Sequence, residues 1–183
     1  MRTFARHLGK HLSGNPTIVP QNMAGAGSLR AANFLYNLAP KDGTTIGMFA
    51  RGLATQPLLD GKGIQYDARK FNWIGSFSSD VSIALSWHSD WIREKKINVM
   101  VQLGTKKHPD LGDAPLVMDF AKNASDKRVL ELIFSRQEMA YPIVAPPGVP
   151  TDRVRMLRQA FDAVVRDPEY LADARRQSLD PIR

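Results

Sequence analysis

Residues 22–28 read N-M-A-G-A-G-S, and two glycines one residue apart in front of a helix-starting serine are a backbone device for holding an anion. Without Cβ atoms, Gly25 and Gly27 can take positive φ and let a ligand approach the main chain. The N–H groups that open the following helix, with the helix dipole behind them, favour a carboxylate or phosphate. The candidate ligand-binding set is Asn22, Gly25, Ala26, Gly27 and Ser28, joined by Arg51 as a cation farther along the chain. Any tight strand-to-helix turn also uses glycine, so the spacing leaves a purely structural role open.

A dinucleotide fingerprint is the second chemistry to weigh, because Gly25-Ala26-Gly27 begins a G-x-G-x-x-G pattern after a strand. Arg30 stands where the third small residue belongs, and the downstream acid, Asp42, falls in an Asp-Gly turn instead of at a strand end. Arg51 lies nearer that strand end, where it could meet a phosphate, which keeps dinucleotide binding as an alternative. No phosphate-loop Lys follows the glycines. His7 and His11, four apart, share a helix face, but no third metal ligand accompanies them, and surface histidines are the simpler reading. His88 and His108 stand alone near turns. With no Cys, four His and no G-x-S-x-G elbow, no nucleophilic triad assembles. Asp110, Asp113 and Asp119 read as solvated loop and cap residues. The expectation is a binder and not an enzyme, with no cofactor and no metal.

These residues need elements to position them. Arg2 to Leu12 has helical character, Thr17–Asn22 is a short strand ended by Pro20, and Ser28 caps a helix to Leu38 with Leu29, Ala32, Leu35 and Tyr36 at helical spacing. Thr44–Phe49 is the next strand, so strand, helix and strand follow one another as in a βαβ unit with a parallel sheet. Trp73–Phe77, Val81–Trp87 and Ile97–Leu103 are further strands. Ser125 caps a helix with Val129, Ile133 and Phe134 inward, and P-P-G-V-P at 146–150 is a stiff polyproline connection. A helix from Thr151 or Asp152 turns Val154, Leu157, Phe161 and Val164 to one face, and Asp167 before Pro168 caps another.

The chain of 183 residues is 43% hydrophobic with 25 Lys and Arg against 18 Asp and Glu, enough for a packed core without staples. The basic residues form scattered doublets with acids between them, which argues against nucleic acid and leaves small anions as partners. No run of roughly 20 apolar residues is present for a membrane span, and the opening segment, broken by Arg6, His7, Lys10 and His11, is not expected to act as an export signal.

Several segments in order carry a family likeness. P-T-I-V-P-Q-N-M-A-G-A-G-S from Pro16, L-A-P-K-D-G-T-T-I-G from Leu38, H-P-D-L-G-D-A-P-L at 108–116, A-P-P-G-V-P-T-D-R-V at 145–154 and L-R-Q-A-F-D with D-P-E at 157–169 resemble the Bug-type substrate-binding receptors of tripartite tricarboxylate transporters. The resemblance implies a periplasmic solute receptor that holds a small organic carboxylate, partly through backbone amides of a loop matching Gly25–Ser28, and delivers it to membrane permease subunits. It implies an α/β, type II periplasmic-binding-protein-like lobe, a mostly parallel sheet with helices on both faces.

Against that family the chain reads as truncated at its N-terminus and short of most of the second lobe. Residues 1–87 and 97–183 are expected to form one lobe joined at 88–96, where a second lobe would be inserted, leaving the flanking strands as a hairpin. On that view carboxylate binding is impaired, an open sheet edge invites a homodimer, and a non-binding remnant or interaction module is the other alternative.

Overall fold

A computed structural model describes residues 2–59, 61–77, 82–86, 98–177 and 179. In chain order the elements are α1 (Arg2–Leu8), α2 (Leu29–Asn37), β1 (Gly47–Met48), α3 (Gln56–Leu59), β2 (Asn72–Ser76), β3 (Ser82–Ser86), β4 (Asn98–Leu103), α4 (Ala124–Ser135), β5 (Pro142–Ala145), α5 (Thr151–Arg166) and α6 (Pro168–Arg176). They cluster into two compact units, Met1–Ser78 with Tyr141–Arg183, and Ser79–Ala140. The junction expected at 88–96 lies outside the described residues.

The first unit is built around β5, whose four residues P-I-V-A are all buried, as a strand covered on both faces must be. Successive side chains leave opposite faces of a strand. Ile143 joins a cluster with Phe4 and Leu8 of α1, Ala160, Phe161 and Val164 of α5, and Tyr170 of α6. Val144 points the other way into Ala32 and Leu35 of α2, Phe49, Leu53, Tyr66 and Phe71. Ala145 returns to the α5 side with Val149, Val154 and Leu157. Helices therefore cover both faces, and the predicted α5 face is buried as a set.

The sheet is not parallel. Its order is β1-β5-β2, with β5 antiparallel to both neighbours. The expected βαβ unit fails at its first strand: residues 17–22 form no ladder and are exposed apart from half-buried Ile18, with Pro16 and Pro20 unable to donate from this run. Of Thr44–Phe49 only Gly47–Met48 pairs, and it pairs with a strand arriving nearly a hundred residues later. Sequence order suggested parallel neighbours; the late β5 inserts between β1 and β2 and reverses the sense.

Two other segments depart from expectation. The P-P-G-V-P run turns instead of extending, with Gly148 at φ 83° and Pro146 fully buried. The α1 helix tightens after Leu8 into a 3-10 turn over Gly9–His11, and its histidines are not free on the surface. His7 Nε2 lies 3.2 Å from Asp173 and His11 Nε2 2.8 Å from Asp167, while Arg6 and Lys10 reach the same two carboxylates at 2.8 and 2.6 Å. Asp167 also caps α6, as predicted, by accepting the Glu169 N–H at 2.9 Å.

In the second unit β3 and β4 pair antiparallel as a hairpin, with a register shift between Ala84 and Leu85. Gln102, fully buried, holds the loop that follows. Its amide donates to Ala114 O at 2.9 Å, its carbonyl accepts the His108 N–H at 2.8 Å, and its own N–H donates to Pro115 O. Helix α4 is capped by Asn123, which accepts from Ser125 and Asp126 N–H, so the predicted cap moves two residues. Its inward side is also shifted: Leu130 and Phe134 are half-buried, whereas Val129 and Ile133 are exposed.

Candidate functional site

The glycine segment forms a left-handed turn. Gly25, Ala26, Gly27 and Ser28 have φ of 138°, 46°, 58° and 76°, four consecutive residues in the region that only glycine enters at no steric cost. Glycines at 25 and 27 were the legible part; Ala26 and Ser28 share the conformation at a cost of roughly 1–2 kcal/mol each. Ser28 sits at the cap position of α2 but makes no side-chain cap bond, because its left-handed backbone replaces the extended geometry that a capping hydroxyl needs.

Part of the anion-binding potential is used within the turn. The Ser28 N–H donates to Gly25 O at 3.1 Å, and the Leu29 N–H donates to Ala26 O. The remaining first-turn amides of α2, which a helix leaves without intrahelical acceptors, belong to Arg30 and Ala31. Asn22 stands in the exposed extended run before the turn.

Arg30 is the residue that sequence reasoning passed over. Against a dinucleotide fingerprint it is only a mismatch, yet its side chain folds back over Gly25: a Cβ on Gly25 would stand 3.5 Å from Arg30 Cδ and 3.6 Å from its Cβ. Glycine at 25 thus gives both the φ and the room for this stem. Arg30 is exposed, and no hydrogen bond or ion pair to it occurs among the described residues. Its position on the first turn of the helix was a usable signal, since a guanidinium there adds a bidentate donor to the dipole.

Arg51 opens a 3-10 turn, Arg51–Ala54, just after β1, and is half-buried. Leu53 of that turn and Leu29 beside the glycine turn share the apolar cluster under α2. Tyr66 closes this cluster by donating its hydroxyl to Leu53 O at 2.7 Å, and burial pushes its phenol up to about 12. Asn33 ties α2 to the 63–65 loop by donating to Gly63 O and accepting the Gln65 N–H. The rigid parts around the turn are therefore packed, and the turn itself is open to water.

Charge is distributed unevenly. The first unit holds 16 Lys and Arg against nine Asp and Glu, and the second holds nine of each, so the whole excess of +7 sits in the unit that carries the turn. Such a field raises the encounter rate of small anions. Among the described residues no group of three or more His, Cys, Asp or Glu is arranged to hold a metal, and the His7 and His11 rings are committed to carboxylates. Asp119 accepts the Leu116 N–H at 3.0 Å, a cap as expected. His88 lies outside the described residues.

The turn gives a stability test of its own. Ser28→Gly relieves a left-handed φ of 76° without removing a cap bond, so it is expected to stabilise the protein by about 0.5–1 kcal/mol, the gain being trimmed by glycine's greater unfolded-state entropy. A higher thermal midpoint checks this; a lower one means the serine side chain supports the turn.

No family model matches this chain, and no curated protein matches it. A solved structure of a periplasmic transporter superposes with a TM-score of 0.63 over 93% of this chain and 79% of that one, at 17% sequence identity. At that identity the likeness speaks for the fold. The chain is thus a mixed α/β protein sharing its architecture with a periplasmic transporter, and among its described residues no helix is long and apolar enough to cross a membrane.

Proposed function

We propose that the chain is a solute receptor of the tripartite tricarboxylate type, binding a small organic carboxylate at the Gly25–Ser28 turn for transfer to membrane permease subunits in the periplasm. The observation that carries this reading is the exposed Arg30, which has no ion-pair partner among the described residues and whose stem lies against Gly25 of a water-exposed left-handed turn at the start of α2. A carboxylate there meets a bidentate donor, main-chain amides and a helix dipole together. The excess charge of the same unit favours anion capture, and the shared fold with a periplasmic transporter supports a transport role. The reading assigns binding and no catalytic step, with Asn22 and Arg51 as secondary ligand contacts.

Titration calorimetry of the intact chain against mono-, di- and tricarboxylates tests this, with a nicotinamide dinucleotide as a separate arm. Saturable but low-affinity carboxylate binding is expected, weakened further, roughly tenfold or more, by Arg30→Gln, since a hydrogen bond to a charged group contributes about 1.5–3 kcal/mol. Binding of the dinucleotide alone assigns the turn to phosphate. Failure of every carboxylate at millimolar concentration leaves the chain an interaction module.

A further inference from the structure

Each unit is stabilised by different means. In the first, large apolar side chains such as Phe4, Leu8, Phe49, Ile143, Phe161 and Val164 are buried in continuous clusters. In the second, among the described Val, Leu, Ile, Met and Phe residues, Leu116 alone is buried. Strand β4 turns Val99, Val101 and Leu103 to one face, since alternate residues share a side, and all three are only half-buried. Met100, on the other face, is 60% exposed. On α4, Leu130 and Phe134 are half-buried, while Val129, Leu132 and Ile133 are exposed.

What the second unit buries instead is polar. Gln102 and Gln137 are both buried. Gln102 ties β4 to the loop after it through Ala114 O and the His108 N–H. Gln137 accepts the Ser82 N–H and donates to the Ser82 hydroxyl, both at 3.3 Å, which ties the turn after α4 to the start of β3. Each such bond replaces one to water, so its net contribution is a fraction of its gross strength, whereas removing apolar surface from water is the dominant favourable contribution to folding. A two-stranded ladder, the whole of this unit's sheet among the described residues, is marginal without a covered apolar face.

We propose that β3, β4, α4 and the loop between β4 and α4 form one cooperative unit that opens and recloses while the first unit stays folded. Segments with few buried apolar contacts occupy the low end of the range of opening free energies within a native protein. The consequence is insulation of the candidate site. Ala32, Leu35, Leu53 and Tyr66, which form the apolar cluster under α2, all belong to the first unit, so the Gly25–Ser28 turn keeps its geometry through the opening.

Native-state hydrogen exchange of the full chain, read by NMR at urea concentrations too low to unfold it, tests this. After correction for intrinsic rate, the Gln102 N–H, bonded to Pro115 O, and the α4 amides at 128–135 are expected to exchange at least about a hundredfold faster than those of β5 and α5. They should also share one urea dependence, shallower than that of β5 and α5 because less surface is exposed. Gln102→Ala should speed exchange in β4 and α4 together, by about tenfold or more, and leave α5 unchanged. Phe161→Leu should do the reverse, speeding α5 and β5 alone. A Gln102→Ala chain whose second unit loses all protection while α5 keeps its own supports the proposal in its extreme form. A single protection level and urea slope across both units overturns it, as does a Gln102→Ala chain that unfolds throughout, or an α4 that frays by itself while β4 is protected as well as α5.

Discussion

Gly75→Val is expected to cost about 3 kcal/mol, lowering the thermal midpoint by about 10 °C. The reason is a contact and not a backbone conformation, since Gly75 has no positive φ. It lies at the irregular register of β2 between Trp73 and Gly75, directly beneath α5, and a Cβ there would stand 2.7 Å from Phe161 Cζ. The ring cannot step aside. Phe161 is 5% exposed, with Phe77 at 5.5 Å and Phe4 at 5.7 Å between ring centroids, and interiors packed to this density convert added volume into strain. Phe161→Leu in the same background should recover part of the loss, giving a coupling of about 1 kcal/mol or more in a double-mutant cycle. Equal losses for Gly75→Val in both backgrounds would show that the ring is not what resists.

The same aromatic cluster marks the boundary of what the sequence discloses. Helix faces are local information: Val154, Leu157, Phe161 and Val164 recur at helical spacing and are all buried, and Asp167 before Pro168 caps α6 because capping needs only adjacent residues. The α4 face was misplaced for the same local reason. Five large apolar residues crowd that helix, and spacing alone does not say that Leu130 and Phe134 are the half-buried ones while Val129 and Ile133 stay exposed.

Long-range facts were harder to read. That β5 would enter between β1 and β2, reversing an expected parallel sheet, depends on a strand roughly 70 residues after β2. The partners of His7 and His11 lie 166 and 156 residues away, and no spacing rule links them. At the candidate site the glycine turn was legible because positive φ selects glycine, yet Ala26 and Ser28 adopt it too. Arg30 escaped because a motif comparison treated it as an error, when its value lies in folding back over Gly25.

The second large effect concerns how α1 is held. Its charged side, Arg6, His7, Lys10 and His11, meets two carboxylates on and beside α6, while its apolar side contributes Phe4 and Leu8 to the core. The Lys10 ammonium, assisted by His11 and the Glu169 N–H, holds Asp167 well below the ordinary carboxylate range against an opposing effect of burial. Arg6, then His7 and Gln177, do the same for Asp173. A carboxylate whose folded pKa is depressed stabilises the fold fully above its unfolded value, 3.8, and loses that contribution as the pH falls below it toward the folded value. From these two groups no change is expected between pH 7 and 5, and a progressive release of α1 below about pH 4. Amide exchange along Arg2–Leu8, matched for intrinsic rate, should accelerate there before the α5 amides respond. Asp167→Ala mimics the release at neutral pH, costing about 2 kcal/mol through the lost cap and the unpaired Lys10. Protection of α1 that persists unchanged to pH 3, or an Asp167→Ala variant as stable as the parent, would mean that Phe4 and Leu8 hold the helix by apolar contact alone.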